Sequence, residues 1–188
     1  DNNLKVMKPT DRMLLQLLSA AINAQNPTLD RALSDSEWNL VYGQAAKQGV
    51  LAVMWESVRR LPQDLQLVRS LKLQWAYGVE QIVSRSKRQM QEAARFAALC
   101  ADAGCRLILL KGIGLSRYYP VPLQRECGDI DILLPEGFEI GNEIAKSHGM
   151  TISGLDYKHN HIYSNGIMFE NHRYLTSVSY THLTLPTK

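Results

Sequence analysis

Apolar positions recur at three- and four-residue spacing as far as Gly104, then give way to short runs and strict alternation. The first regime predicts helices. Residues 11–22, DRMLLQLLSAAI, form one after Pro9, with Thr10 or Asp11 as cap and Asn26-Pro27 as breaker. Ser34 and Glu37 have capping-box spacing ahead of a second helical region, Trp38 to Leu61, which is interrupted near Gly49 and ended by Pro62. Val41, Ala45, Leu51, Met54, Trp55 and Val58 are its buried stripe. From Gln63 to Ala103 there is no proline, and Leu67, Leu71, Trp75, Val79, Ile82, Met90, Ala94 and Ala97 predict one long helix or two stacked ones. Gly104 supplies the stop. Stripes rich in Trp and Met are core material, so this half receives no chemistry; a helical lid or substrate platform is the alternative.

Beyond Gly104 the pattern predicts a buried strand over Arg106–Leu110, a short helix from Ile113 to Tyr118 at a glycine turn, and a loop with two prolines. A strand over Gly128–Leu134 and a helix over Phe138–His148, closed by Gly149, follow. Asn165-Gly166 between alternating segments is a two-residue hairpin signal. Counting outward pairs Ser164 with Ile167, Tyr163 with Met168, Ile162 with Phe169, His161 with Glu170 and His159 with His172. One face then collects His159, His161, Tyr163, Met168, Glu170 and His172, while Ile162, Ile167 and Phe169 take the core side. The fold class expected is α+β: a helical region over 1–104, then a small mixed sheet with packed helices over 105–176.

Composition changes this picture little. With 188 residues and 45% hydrophobic content the chain can bury a real core as one large domain or two small ones. No run approaches the roughly 20 apolar residues that span a bilayer, and DNNLKVMKPT has no apolar signal segment, so a cytoplasmic setting is expected. Cys100, Cys105 and Cys127 lack metal or redox spacing and are expected reduced and buried. A net charge of +3 gives no strong nucleic-acid signal. Basic residues from Arg85 to Arg125 lead into the acidic pair and would suit a polyphosphate, or form a solvated helix face.

Candidate chemistry centres on RLILLKGIGLSRYYPVPLQRECGDIDILL, residues 106–134. Alternation puts Asp129 and Asp131 on one face of the strand, with Ile130, Ile132 and Leu134 on the other. Two carboxylates so close repel unless a cation lies between them, which suggests a divalent metal site.

Leu110-Lys111-Gly112, Tyr119-Pro120, Arg125 and Gly128 to Leu133, in that order, resemble a bacterial family of uncharacterised nucleotidyltransferases within the superfamily of DNA polymerase beta type. The resemblance covers Arg106 to Tyr174. It implies Mg²⁺ or Mn²⁺ held by Asp129 and Asp131, and a third carboxylate on a neighbouring strand. Phe169-Glu170-Asn171-His172 matches the corresponding segment, which assigns that role to Glu170. It also implies ATP or another nucleoside triphosphate as substrate, transfer of a nucleoside monophosphate to an acceptor (a small molecule, RNA or protein) and release of pyrophosphate. Lys111 or Arg125 would neutralise phosphate charge. Gly112 would let the backbone approach, and Gly114 or Ser116 would add a backbone or hydroxyl contact.

Two other readings remain. Many superfamily members carry Gly or Ser where this chain has Ile113, which favours a non-catalytic metal- and nucleotide-binding module of the same fold. His159, His161, Glu170 and His172 share a face and could instead hold Zn²⁺. From about Ser177, SVSYTHLTLPTK resembles translated adapter sequence. A non-native tail over 177–188, on a fragment lacking its native C-terminus, is therefore expected.

Overall fold

The computed structural model describes residues 8–154 and 156–174. The expected non-native tail lies outside these described residues. Two compact units are present: one holds the described residues up to Lys87 together with Leu115–Glu126, the other Arg88–Gly114 and the described residues from Cys127 onward.

The first unit is helical. Helices α1 (Pro9–Ile22), α2 (Asp35–Lys47) and α3 (Leu51–Val58) pack with the first part of α4 (Arg69–Asp102). The α2 cap is a reciprocal box: Ser34 Oγ accepts from the Glu37 amide at 3.3 Å, and the Glu37 carboxylate accepts from the Ser34 amide at 2.9 Å. Gly49, at φ +66°, divides α2 from α3 as expected. Trp75 lies edge-on to Trp38 and Tyr42, with ring centroids at 6.3 and 5.4 Å. Its indole N–H donates to the Leu51 carbonyl at 2.9 Å, so this buried polar atom is satisfied.

Helix α4 buries Leu71, Trp75, Val79, Ile82, Ser86, Gln89, Ala93, Phe96 and Cys100, a stripe alternating in steps of three and four. Past Ile82 this corrects the expected register, which ran through Met90, Ala94 and Ala97; Met90 is 40% exposed. The polar Gln89 holds the inward position because its side-chain amide donates to the Gly128 carbonyl at 2.8 Å. Hydrophobicity alone pointed one residue too far. Gly104 ends the helix at φ +76°, with Cys105 N–H bonded back to the Cys100 carbonyl at 2.8 Å.

The second unit carries a five-stranded mixed sheet in the order β1-β2-β5-β4-β3: β1 Ile108–Leu109, β2 Ile130–Leu133, β3 Thr151–Ser153, β4 His159–Ser164 and β5 Ile167–His172. Among the described residues only β2 and β5 pair in parallel, with Ile130 opposite Phe169, Asp131 opposite Glu170 and Leu133 opposite His172. The β4–β5 hairpin has the register counted from Asn165-Gly166, from Ser164↔Ile167 to His159↔His172. Three-residue β3 was not anticipated.

One sheet face is core: Ile130, Ile132, Ile162 and Phe169 are fully buried, joined by Phe96 of α4 and by Ile144 and Ala145 of α5 (Phe138–Ser147). Phe96 meets Phe169 edge-on at 5.3 Å. Three buried asparagines interrupt this apolar layer: Asn142 Oδ1 accepts from Asn160 at 2.7 Å and from Asn171 at 3.2 Å. This bonding fixes the height of α5 over the two central hairpin strands. The hairpin tip is clamped to α4 by Glu92, which accepts from Ser164 Oγ at 2.9 Å and Asn165 Nδ2 at 2.8 Å. Among the described residues no helix is long and apolar enough to cross a membrane.

Candidate functional site

The opposite sheet face carries the polar groups. Because β2 and β5 run parallel in register, Asp131 and Glu170 stand side by side on neighbouring strands, on the same face. The two carboxylates are close enough to shift one another's ionisation. Asp131 is almost wholly buried, and its Oδ1 receives two donors, Lys111 Nζ at 3.0 Å and His172 Nε2 at 2.9 Å. Burial opposes ionisation of Asp131, yet the His172 and Lys111 hydrogen bonds hold its carboxyl below the ordinary value. Glu170 moves the other way. Burial and the neighbouring Asp131 carboxylate raise it against the opposing influence of His159 and His172. Lys111 is held protonated first by its bond to Asp131 and then by the charges of Glu170 and Asp129.

Gly112 follows at φ +57°, a conformation that suits glycine. A Cβ there would stand 3.5 Å from the Asp129 carbonyl oxygen and 3.8 Å from Asp131 Oδ2, so this turn borders the acids directly. Gly114 serves packing: a Cβ would come within 3.1 Å of Leu109 Cβ and 3.2 Å of its carbonyl oxygen. Ile113 is buried in the core of the second unit. The expected short helix is a 3₁₀ helix, Gly112–Tyr118.

The structure thus brings together Lys111, Gly112, Asp131 and Glu170. Asp129 sits differently from expectation. The strand begins at Ile130, leaving Asp129 half-buried in the bend before it, and it is outside the cluster formed by Asp131, Glu170 and His172. Its charge still reaches Lys111. Ser116 and Arg125 belong to the first unit, where Ser116 is buried and the Arg125 guanidinium lies 5.7 Å from the Tyr119 ring centroid. Reading the sequence gave His172 a possible zinc role and missed its bond to Asp131; its placement two residues past Glu170, on the same strand face, was the available signal.

One atom from each of Asp131, Glu170 and His172 lies within 4.8 Å of the others, a spacing at which a single divalent cation can be gripped. The donor chemistry fits such an ion. Two carboxylates supply hard oxygen ligands, and an imidazole N–H steadies the more buried one. The sequence resemblance implied three acids, Asp129, Asp131 and Glu170, of which Asp131 and Glu170 belong to this group. Residues 34–187 match a family model described as uncharacterised nucleotidyltransferase.

The chain belongs to this family.

No curated protein and no solved structure matches the chain. Membership supports nucleotidyl transfer as the general function and a nucleoside triphosphate as the substrate class. In this member of the family the mixed sheet and the glycine turn of the second unit carry the acids and the lysine described above.

Proposed function

We propose that the chain transfers a nucleoside monophosphate from a nucleoside triphosphate to an acceptor, releasing pyrophosphate, with Mg²⁺ or Mn²⁺ bound at Asp131 and Glu170. The observation that carries this reading is the in-register parallel pairing of Asp131 with Glu170 beside Lys111 and Gly112, in a chain of a nucleotidyltransferase family. Asp129, at the edge of this group, completes the set of three acids.

Each protein group then has a task that follows from its surroundings. Asp131, kept ionised by His172 and Lys111, is the permanent anion of the site. Glu170, the carboxylate beside Asp131 on the neighbouring strand, takes the acceptor's proton. As the acceptor oxygen bonds to the α-phosphorus, the bond from that phosphorus to the bridging oxygen of the leaving pyrophosphate breaks. Lys111 exchanges its contact with Asp131 for the triphosphate, whose growing negative charge it offsets. The bound cation supplies charge neutralisation on the phosphate oxygens and a lower pKa for the attacking hydroxyl. His172 holds Asp131 in place throughout.

The test is incubation of the chain with each α-labelled nucleoside triphosphate and Mg²⁺ or Mn²⁺, with and without cell extract, comparing wild type with Asp129→Ala/Asp131→Ala. Label transfer with pyrophosphate release by wild type alone supports the reading. Equal labelling by both chains, or nucleotide binding with no turnover for any acceptor, counts against it; the latter favours a non-catalytic binding module.

A further inference from the structure

The acidic face extends past Asp131 into a row of imidazoles. Ring centroids of His161 and His159 are 5.5 Å apart, and those of His159 and His172 are 5.7 Å apart. Glu170, directly across the hairpin from His161, divides its oxygens between two neighbours. Its Oε1 lies 3.1 Å from His159 Nε2, while Oε2 lies 3.7 Å from His172 Nε2 on the Asp131 side. Two groups of donor atoms, each within 4.8 Å, therefore share this one carboxylate: Asp131, Glu170 and His172, and separately His159, His161 and Glu170. All three residues of the second group are half-buried rather than sealed in the core.

His161 is also held in place. The chain turns at Gly154 with φ +66°, and a Cβ there would stand 3.0 Å from His161 Nδ1. A side chain at this position would push the ring away, so the absence of one lets the end of β3 close against the imidazole. The expected four-ligand set with His172 is not what the structure builds, because His172 Nε2 is committed to Asp131.

We propose that His159, His161 and Glu170 form a second cation position, selective for a transition-metal ion of the Zn²⁺ or Co²⁺ type. Glu170 bridges this position to the Asp131 side. Two imidazole nitrogens and one carboxylate suit such ions and are poor ligands for Mg²⁺, which prefers an all-oxygen shell. Three protein ligands leave a four-coordinate ion one open position for water or a substrate oxygen. The site goes beyond the nucleotidyl-transfer reading, from which it borrows only Glu170, and it stands whether or not transfer occurs.

The experiment uses untagged full chain, stripped with EDTA and dialysed against Zn²⁺ or Co²⁺, with bound metal read by elemental analysis and by the visible bands of four-coordinate Co²⁺. About one ion per chain is expected. His159→Gln and His161→Gln should each weaken binding by roughly tenfold or more and lose those bands, with unchanged circular dichroism as the folding control. Gly154→Val should weaken binding without removing a ligand, whereas Asp131→Asn should keep the ion. Binding by wild type no tighter than by the His159→Gln/His161→Gln double variant overturns the proposal. So does loss of the ion in Asp131→Asn, which would put it on the carboxylate side. Zinc retention in a chain that transfers no label would sink the nucleotidyl-transfer reading alone.

Discussion

Replacing His172 by alanine tests how the site keeps a buried carboxylate charged. The two side chains are 5% and 2% exposed, so water cannot take over the hydrogen bond that is lost. Breaking a buried charged pair costs about 3 to 5 kcal/mol when nothing else remains. Here Lys111 stays on the same oxygen, which brings the expectation for His172→Ala down to about 2 to 3 kcal/mol, the range of a charge-assisted hydrogen bond plus a small cavity. In an Asp131→Asn background the charge is gone, and the same deletion should cost about 1 kcal/mol, a coupling of about 1 to 2 kcal/mol. The probe must report on the second unit. Trp38, Trp55 and Trp75, the only three tryptophans of the sequence, all belong to the first unit, so intrinsic fluorescence is the wrong assay. Hydrogen exchange followed on peptides from β2 and β5, without divalent metal, reads the right region; the expected destabilisation corresponds to roughly 30- to 150-fold faster exchange. Equal acceleration by His172→Ala in both backgrounds would refute the reasoning, because Asp131 would then not depend on the imidazole.

Three further outcomes follow from the same geometry. Lys111→Met should lower turnover about a hundredfold in the label-transfer assay, as for loss of one electrostatic stabiliser, while leaving the chain folded because the lysine is 46% exposed. Gly112→Ala should destabilise the second unit by roughly 1 to 2 kcal/mol through its left-handed backbone, since the added methyl meets only ordinary contacts; exchange rates in β2 report it. Burial works against Glu92, yet its bonds from Asn165, Ser164 and Arg95 leave it below the ordinary carboxylate value. Its contribution is therefore present above the unfolded value of 4.5 and lost as pH falls through the folded one. Glu92→Gln should flatten that acid limb in the protection of the hairpin amides; an unchanged limb would show that the clamp does not hold the tip.

Some of this arrangement was written locally and could be counted off the chain. Asn165-Gly166 fixes a two-residue turn, the turn fixes the register, and the register puts His159, His161 and Glu170 on one face. Ser34 with Glu37, and Gly49, act within a few residues in the same way. The pairing of β2 with β5 has no such signal, because it joins segments almost 40 residues apart; the neighbourhood of Asp131 and Glu170 came from the family resemblance alone. The inward turn of Gln89 and the bonding among Asn142, Asn160 and Asn171 were illegible for a related reason. Polar side chains are buried there to satisfy distant partners, which a hydrophobic pattern does not record. Alternation also placed Asp129 in the strand with Asp131, whereas the chain is still bending at that residue.

The central claim is that Asp131 and Glu170 hold a divalent cation for a nucleoside triphosphate, and it can be tested without knowing the acceptor. Free Mn²⁺ measured by electron paramagnetic resonance, with a non-hydrolysable triphosphate analogue present, should fall on adding wild-type chain and stay near the protein-free level with Asp131→Asn/Glu170→Gln. Equal uptake of Mn²⁺ by the two chains would contradict it.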